Sequence, residues 1–118
     1  MNVHFMKLKP DPFRLMLSGE KTIEMRLYDE KRRKVCVGDR IFFENVSSGE
    51  KLETKVLKLH RFSSFDELYR ALPLWKCGYA LDCISEAKAS DMEHFYSVES
   101  QKKYGVIGIE LAVIPEGE

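Results

Sequence analysis

Little in this chain can cross-link it or hold a metal. It has three cysteines in 118 residues, Cys36, Cys77 and Cys83, an odd count without C-x-x-C spacing. That excludes a disulfide framework and a zinc-finger arrangement. Cys36 lies among valines and reads as a small buried hydrophobe. His4, His60 and His94 are far apart, and none has metal-ligand spacing on one helix or hairpin, so no metal is expected. His94, in DMEHFY, is the one to follow, because it sits between Glu93 and two aromatics. No apolar run approaches the ~20 residues of a membrane-spanning helix. The start, MNVHFMKLKP, lacks the basic head and apolar core of a secretion leader. The expected compartment is the cytoplasm, with no membrane partner. Excess charge of one sign is missing too: 19 basic residues meet 19 acidic ones. This argues against coating nucleic acid by bulk electrostatics but leaves room for a local basic pocket. There is no GxGxxG, GxxxxGK[ST] or GxSxG, and no cofactor is expected.

What is present fits one domain over residues 1–118, with 44% hydrophobic residues to fill a core. VHFMKL alternates as a first strand. In KPDPFRLMLSGEK, Asp11 is positioned to cap a helix, Pro12 suits its first turn and Gly19 can close it. Phe13, Met16 and Leu17 form its apolar face. TIEMRL alternates as a strand, with Thr22, Glu24 and Arg26 on one face and Ile23 and Met25 on the other. Gly38-Asp39 turns the chain into a strand at Arg40–Glu44, and SSGE is a further turn. LETKVLKLHRF is a long strand whose broken alternation at Val56, Leu57 and Leu59 calls for a bulge or burial on both faces. Ser64 to Glu67 reads as a capping box opening a helix that Pro73 ends. LWKCGYALD is loop-like, helical turns span 91–103, and YGVIGIELAVI is a closing strand over 104–114. Strands joined by short turns outnumber helices. The class is therefore α+β, an antiparallel or mixed β-barrel with short flanking helices, and not a doubly wound sheet.

Two constellations carry candidate chemistry. In GEKTIEMRL, a lysine, a glutamate and an arginine cluster just past the first helix. By pattern alone this is an amphipathic strand with its polar face in water, where an exposed ion pair contributes about 0–1 kcal/mol. If that face lines a cleft, Arg26 can fork onto a phosphate or carboxylate, Glu24 can accept from a base amine, and Lys21 is a cation or base. The second set is Trp75, Tyr79, Phe95, Tyr96 and Tyr104. Aromatics beside cations serve single-stranded nucleic acid recognition by stacking. Phe95 and Tyr104 read as core. Trp75 and Tyr79, in a loop with Lys76 and Gly78, are the accessible candidates. The run Lys31, Arg32, Arg33, Lys34 reads as a solvated loop.

PFRLMLSGEKTIEMRL resembles the signature PF…I..G.KTIE.R of the ASCH domain family. VGDRIFF, RFSSFDELY and MEHFYSVESQKKYGVIGIEL are similar to further segments of that family, so the resemblance spans nearly the whole chain. It implies a PUA-like β-barrel that binds RNA or a nucleoside in a cleft beside the GxKxxExR motif. The ligand-binding set would be Lys21, Thr22, Glu24 and Arg26, with Trp75 and Tyr79 as stacking partners. One bacterial branch of the family comprises N4-acetylcytidine amidohydrolases with the motif G.KTIT.R. An amidohydrolase acting on a modified nucleoside is the alternative, with Lys21 and Glu24 catalytic. Here Glu24 replaces that branch's threonine, and its distal glutamate has no motif match. A third alternative is a protein-interaction domain, since related domains occur in transcription coactivators.

Overall fold

The computed structural model describes residues 1–116. Alternation in β1 (Val3–Leu8) buries Met6 and Leu8 and leaves Phe5 and Lys7 outside. Helix α1 (Pro10–Leu17) begins two residues earlier than the capping signal suggests. Lys9 is its N-cap residue, and Asp11 lies in the first turn without a capping bond. Pro10 takes the first helical position, where its missing N–H is not needed and its φ is already helical. Phe13 and Met16 are buried, whereas Leu17 is exposed, because the helix stops there and Gly19, at φ +85°, turns the chain away.

The chain continues through β2 (Ile23–Leu27), α2 (Glu30–Arg33), β3 (Arg40–Asn45), β4 (Lys51–Phe62) and α3 (Phe65–Ala71). Three short 3-10 turns follow, Leu74–Cys77, Leu81–Glu86 and Ala89–His94, then α4 (Val98–Tyr104) and β5 (Val106–Val113). Tyr104 thus ends a helix and does not start the last strand. Lys31, Arg32 and Arg33 lie on α2 and not in a loop, because Asp29 caps that helix by accepting the Arg32 N–H.

The five strands form one sheet in the order β1-β3-β4-β5-β2. β1 runs parallel to β3, and the other neighbours are antiparallel. The result is the α+β architecture expected, a curled mixed half-barrel with flanking helices. The broken alternation in β4 is a bulge: pairing passes from Val56↔Leu111 to Lys58↔Glu110, leaving exposed Leu57 unpaired.

One core cluster packs Phe13 and Met16 of α1 against Ile41, Phe43, Val56, Ile107 and Ile109 on the concave face of the sheet. A second joins Leu27 and Val106 to Phe65 and Leu68 of α3 and to Met92. Because β5 serves both clusters, it is buried on both faces and reads as a continuous apolar run.

Ser64 caps α3 by accepting the Glu67 N–H at 3.2 Å. Glu67 reaches back one residue further than the usual box, accepting from the Ser63 hydroxyl at 2.6 Å. Cys36 is exposed, contrary to the buried reading. It sits in the turn before β3, where Val35 and Asp39 face inward and Cys36 does not, and its N–H donates to Asp39 Oδ2 at 2.9 Å. Asp39 also accepts from the Asn2 N–H and pairs with His4 Nε2, so one buried carboxylate ties the start of β1 to the start of β3. Burial opposes its ionisation, but these hydrogen bonds outweigh it and hold the Asp39 pKa down at about 2.

Candidate functional site

The end strands of the sheet, β1 and β2, are not paired with each other. Curling brings them face to face across a seam, and the Arg26 guanidinium spans it, donating Nη2 to the Lys7 carbonyl at 2.7 Å. A cleft of about 470 Å³ opens along this seam. Its floor is Lys21, Glu24, Met25 and Arg26. One wall is Lys7 to Lys9 with the first turns of α1. The other is Cys77, Gly78 and Tyr79, closed by Met92, Phe95 and Tyr96.

The alternation of TIEMRL places Glu24 and Arg26 on the same side of β2, as read, but that side does not face water. Glu24 is only 4% exposed. Each of its oxygens holds one cation: Lys21 Nζ lies 2.8 Å from Oε1 and Arg26 Nε 2.7 Å from Oε2. Burial would raise the Glu24 pKa, yet the two flanking cations overcome it and the net shift is downward. Burial likewise works against the charge on Arg26, and the Glu24 carboxylate reverses it, so the guanidinium pKa is raised.

The triad carries one net positive charge in a largely apolar cleft. An ammonium has three donors and a guanidinium five. Lys21 spends one on Glu24, and Arg26 spends Nε on Glu24 and Nη2 on Lys7. The remaining donors make the floor a site for acceptor oxygens.

Local structure explains how Lys21 arrives there. Its N–H bonds the Leu15 carbonyl at 2.9 Å, closing α1, and the next residue, Thr22, donates to the Lys76 carbonyl at 2.9 Å. Gly78 sits at φ +109°, and a Cβ there would lie 3.4 Å from Lys21 Cδ. The glycine lets the lysine stem lie flat along the turn.

The far wall is held by a hydrogen-bond chain. The Tyr69 and Tyr79 hydroxyls are 2.6 Å apart, and Tyr79 donates to Asp91 Oδ2 at 3.0 Å. Behind it, Tyr96 stacks on Phe65 with ring centroids 6.2 Å apart. Burial is the main cause of raised Tyr69, Tyr79 and Tyr96 pKa values, which keep these hydroxyls protonated as donors.

Of the residues singled out in the sequence, Lys21, Glu24, Arg26 and Tyr79 converge on the cleft. Thr22 and Trp75 are not among its lining residues; Trp75 is 48% exposed with Lys76 Nζ over its ring. His94 is exposed and does not line the cleft. Phe95 corrects the core reading: it is 59% exposed at the mouth of the cleft, with Lys9 Nζ 5.4 Å from its ring centroid. Tyr104 does pack against the second core cluster. Lys7, Lys9, Cys77 and Met92 went unread as site residues. The adjoining Lys7, Lys9 and Pro10 were the available signal, because a cation at a strand-to-helix junction sits at the same end of the fold as the GEK turn.

No group of histidines, cysteines and carboxylates among the described residues is placed to hold a metal. No helix among them is long and apolar enough to cross a membrane.

The sequence profile of the ASCH domain matches residues 6–115. The chain belongs to the ASCH domain family. Its half-barrel is the PUA-like ASCH fold, and it is similar over nearly its full length to solved structures. The hypothetical protein PH0355 shares 36% identity with it at a TM-score of 0.81, covering 97% of this chain and 100% of its own. The protein PF0455 from Pyrococcus furiosus shares 34% identity at a TM-score of 0.72, over 97% of this chain and 98% of its own. The ASCH domain from Lactobacillus crispatus JV V101 shares 12% identity at a TM-score of 0.58, over 93% of this chain and 79% of its own, a likeness of fold alone. No curated protein matches. Against this ASCH frame, Gly19, Lys21, Glu24 and Arg26 run from the end of α1 along β2, so the GxKxxExR motif forms the turn and floor of the seam.

Proposed function

We propose that this ASCH domain is an RNA- or nucleoside-binding module that takes a base and its attached oxygens into the cleft between β1 and β2. The observation that carries this reading is the buried Lys21–Glu24–Arg26 triad, a fixed cationic, donor-rich floor beneath the apolar and aromatic surfaces of Met25, Tyr79, Phe95 and Tyr96. Such a cleft suits a flat ring that carries acceptor oxygens. Its volume of about 470 Å³ falls within the ~300–1,000 Å³ usual for small-molecule sites. Lys7 and Lys9 at the rim supply charge for a phosphate. A donor-rich floor inside a concave cleft favours a small acceptor-bearing ligand over a flat protein surface.

Hydrolysis of an acylated nucleoside asks more of the triad. A general base needs a pKa near the working pH. Glu24 is shifted the other way, and both its oxygens are already paired. The test is direct. The purified protein is titrated with nucleosides, ribonucleoside monophosphates and short single-stranded RNA, and is separately incubated with N4-acetylcytidine. Binding weakened by Lys9→Ala and Phe95→Ala, without release of cytidine, is the expected result. Cytidine release that Lys21→Ala abolishes would replace the binding module with an enzyme.

A further inference from the structure

A second concavity, of about 410 Å³, lies on the other side of the same seam, over the convex face of β1 and β3. Its floor is an aromatic pair. Phe5 and Phe42 face each other in the parallel register of β1 and β3, with ring centroids 5.7 Å apart and planes at 20°. Phe5 is 62% exposed, an unusual position for a phenylalanine on a small domain. The rim is basic: Lys7, Lys31 and Lys51 are set against Glu44, and Arg26 and Arg32 stand beside them paired with Glu24 and Asp29. In a chain of net charge zero this is a local concentration of cations. Two of them are held by the free edge of β1. Lys31 Nζ donates to the Phe5 carbonyl at 2.6 Å, and Arg26 Nη2 donates to the Lys7 carbonyl. Arg32 gives Nη1 to Asp29, while its buried Nε has no hydrogen-bond partner among the described residues. That is a donor in want of an acceptor.

Lys7 and Arg26 line both concavities, so the two meet at the Arg26–Lys7 bridge. We propose that they are consecutive subsites for one single-stranded RNA: a base enters the inner cleft, the adjoining phosphate crosses at Arg26, and the next base stacks on Phe5 among the rim cations. This rests on the base-binding reading of the inner cleft and extends it from a nucleoside to a strand. An exposed ring with surrounding cations is the arrangement by which single strands are held without base-specific hydrogen bonds. A duplex cannot follow this path, because its bases are not splayed apart.

The experiment compares each common ribonucleoside monophosphate with a random-sequence pool of short single-stranded RNA, by fluorescence anisotropy competition at several salt concentrations. Three variants are used, all at exposed positions and checked for folding by thermal melting: Phe5→Ala and Lys51→Ala in the outer groove, and Phe95→Ala in the inner cleft. RNA should bind more tightly than any monophosphate. Phe5→Ala should weaken RNA about tenfold or more and leave the monophosphates unchanged. Lys51→Ala should reduce the slope of log K against log salt for RNA by about 0.7. Phe95→Ala should weaken both ligand classes. If RNA affinity and salt slope are indifferent to Phe5→Ala and Lys51→Ala while Phe95→Ala still weakens binding, the outer subsite is refuted and the inner cleft stands. If Phe95→Ala affects neither ligand class, or nothing binds, the inner-cleft reading fails and the strand proposal falls with it.

Discussion

Arg26 joins two strands that share no backbone pairing: its Nη2 reaches the Lys7 carbonyl on β1 while its Nε holds Glu24 on its own strand. Removing the guanidinium unties the seam and leaves Glu24 with Lys21 alone. Breaking a buried ion pair by deleting one partner typically costs about 3–5 kcal/mol. Arg26→Ala should lower the unfolding free energy by about 3 kcal/mol, read from urea titrations at neutral pH. Arg26→Lys should recover only part of it, because an ammonium cannot reach both partners in fork geometry. Equal stability of Arg26→Lys and wild type would mean that the bridge contributes nothing.

Acid should loosen the sheet at its first strands. The Asp39 pKa falls from 3.8 to about 2 on folding. A depressed folded pKa stabilises fully above the unfolded value and is lost as pH falls toward the folded one. The Asp39 contribution is therefore whole above about pH 4 and disappears toward pH 2. Glu24, also shifted downward, acts in the same sense below its ordinary value of 4.5. Stability of Asp39→Asn followed against pH should vary less steeply than wild type in that window, and parallel curves would dismiss the role assigned to the carboxylate.

Gly78 should tolerate no side chain without loss. At φ +109° an alanine is strained by more than ~1 kcal/mol, and its Cβ would lie in contact with the Lys21 stem, so that any relief of the strained turn moves the lysine. Gly78→Ala should lower the melting temperature and weaken nucleotide binding together. Full retention of both would show that the turn and Lys21 adapt freely.

The thiols should sort by position. Cys36 and Cys83 are exposed, and Cys77 is buried against the cleft. Burial pushes the Cys77 thiol up to about 11, so little thiolate is present near neutrality. An aromatic disulfide reagent should modify Cys36 and Cys83 in the native protein and reach Cys77 only on unfolding. Rapid labelling of Cys77, identified by peptide mapping, would contradict a closed far wall.

Much of this was legible in the sequence, because local signals there agree with the global fold. Ser64 marks a helix start that the structure keeps, and the broken alternation around Leu57 is a bulge. Spacing put Glu24 and Arg26 on one face of β2, and the resemblance to the ASCH family, not the spacing, put Lys21 with them in a cleft. The surroundings of Glu24 were not legible. Period-two alternation reports which residues share a face, and nothing in β2 itself says that both of its faces are covered. That depends on how the sheet curls and on turns more than fifty positions away. Phe95 was misread for the same reason. An aromatic in a helical turn is usually core, but Phe95 stands at the mouth of the cleft, across from Lys9. Cys36 shows the limit of composition: its valine neighbours differ from each other, Val35 being buried and Val37 exposed.

Because β1 and β2 meet through side chains and not through a ladder, the half-barrel has a clasp where a closed barrel would have a hinge of backbone bonds. The outer-edge carbonyls of β1 at Phe5 and Lys7 are held by ammonium and guanidinium groups, the same donors that the proposed strand's phosphate would need. A ligand that takes Arg26 or Lys31 must therefore relax its hold on β1. The width of the site and the security of the first strand are set by one small group of charges. Amide exchange along Val3–Leu8 should thus report whether Arg26 and Lys31 keep their hold on the first strand.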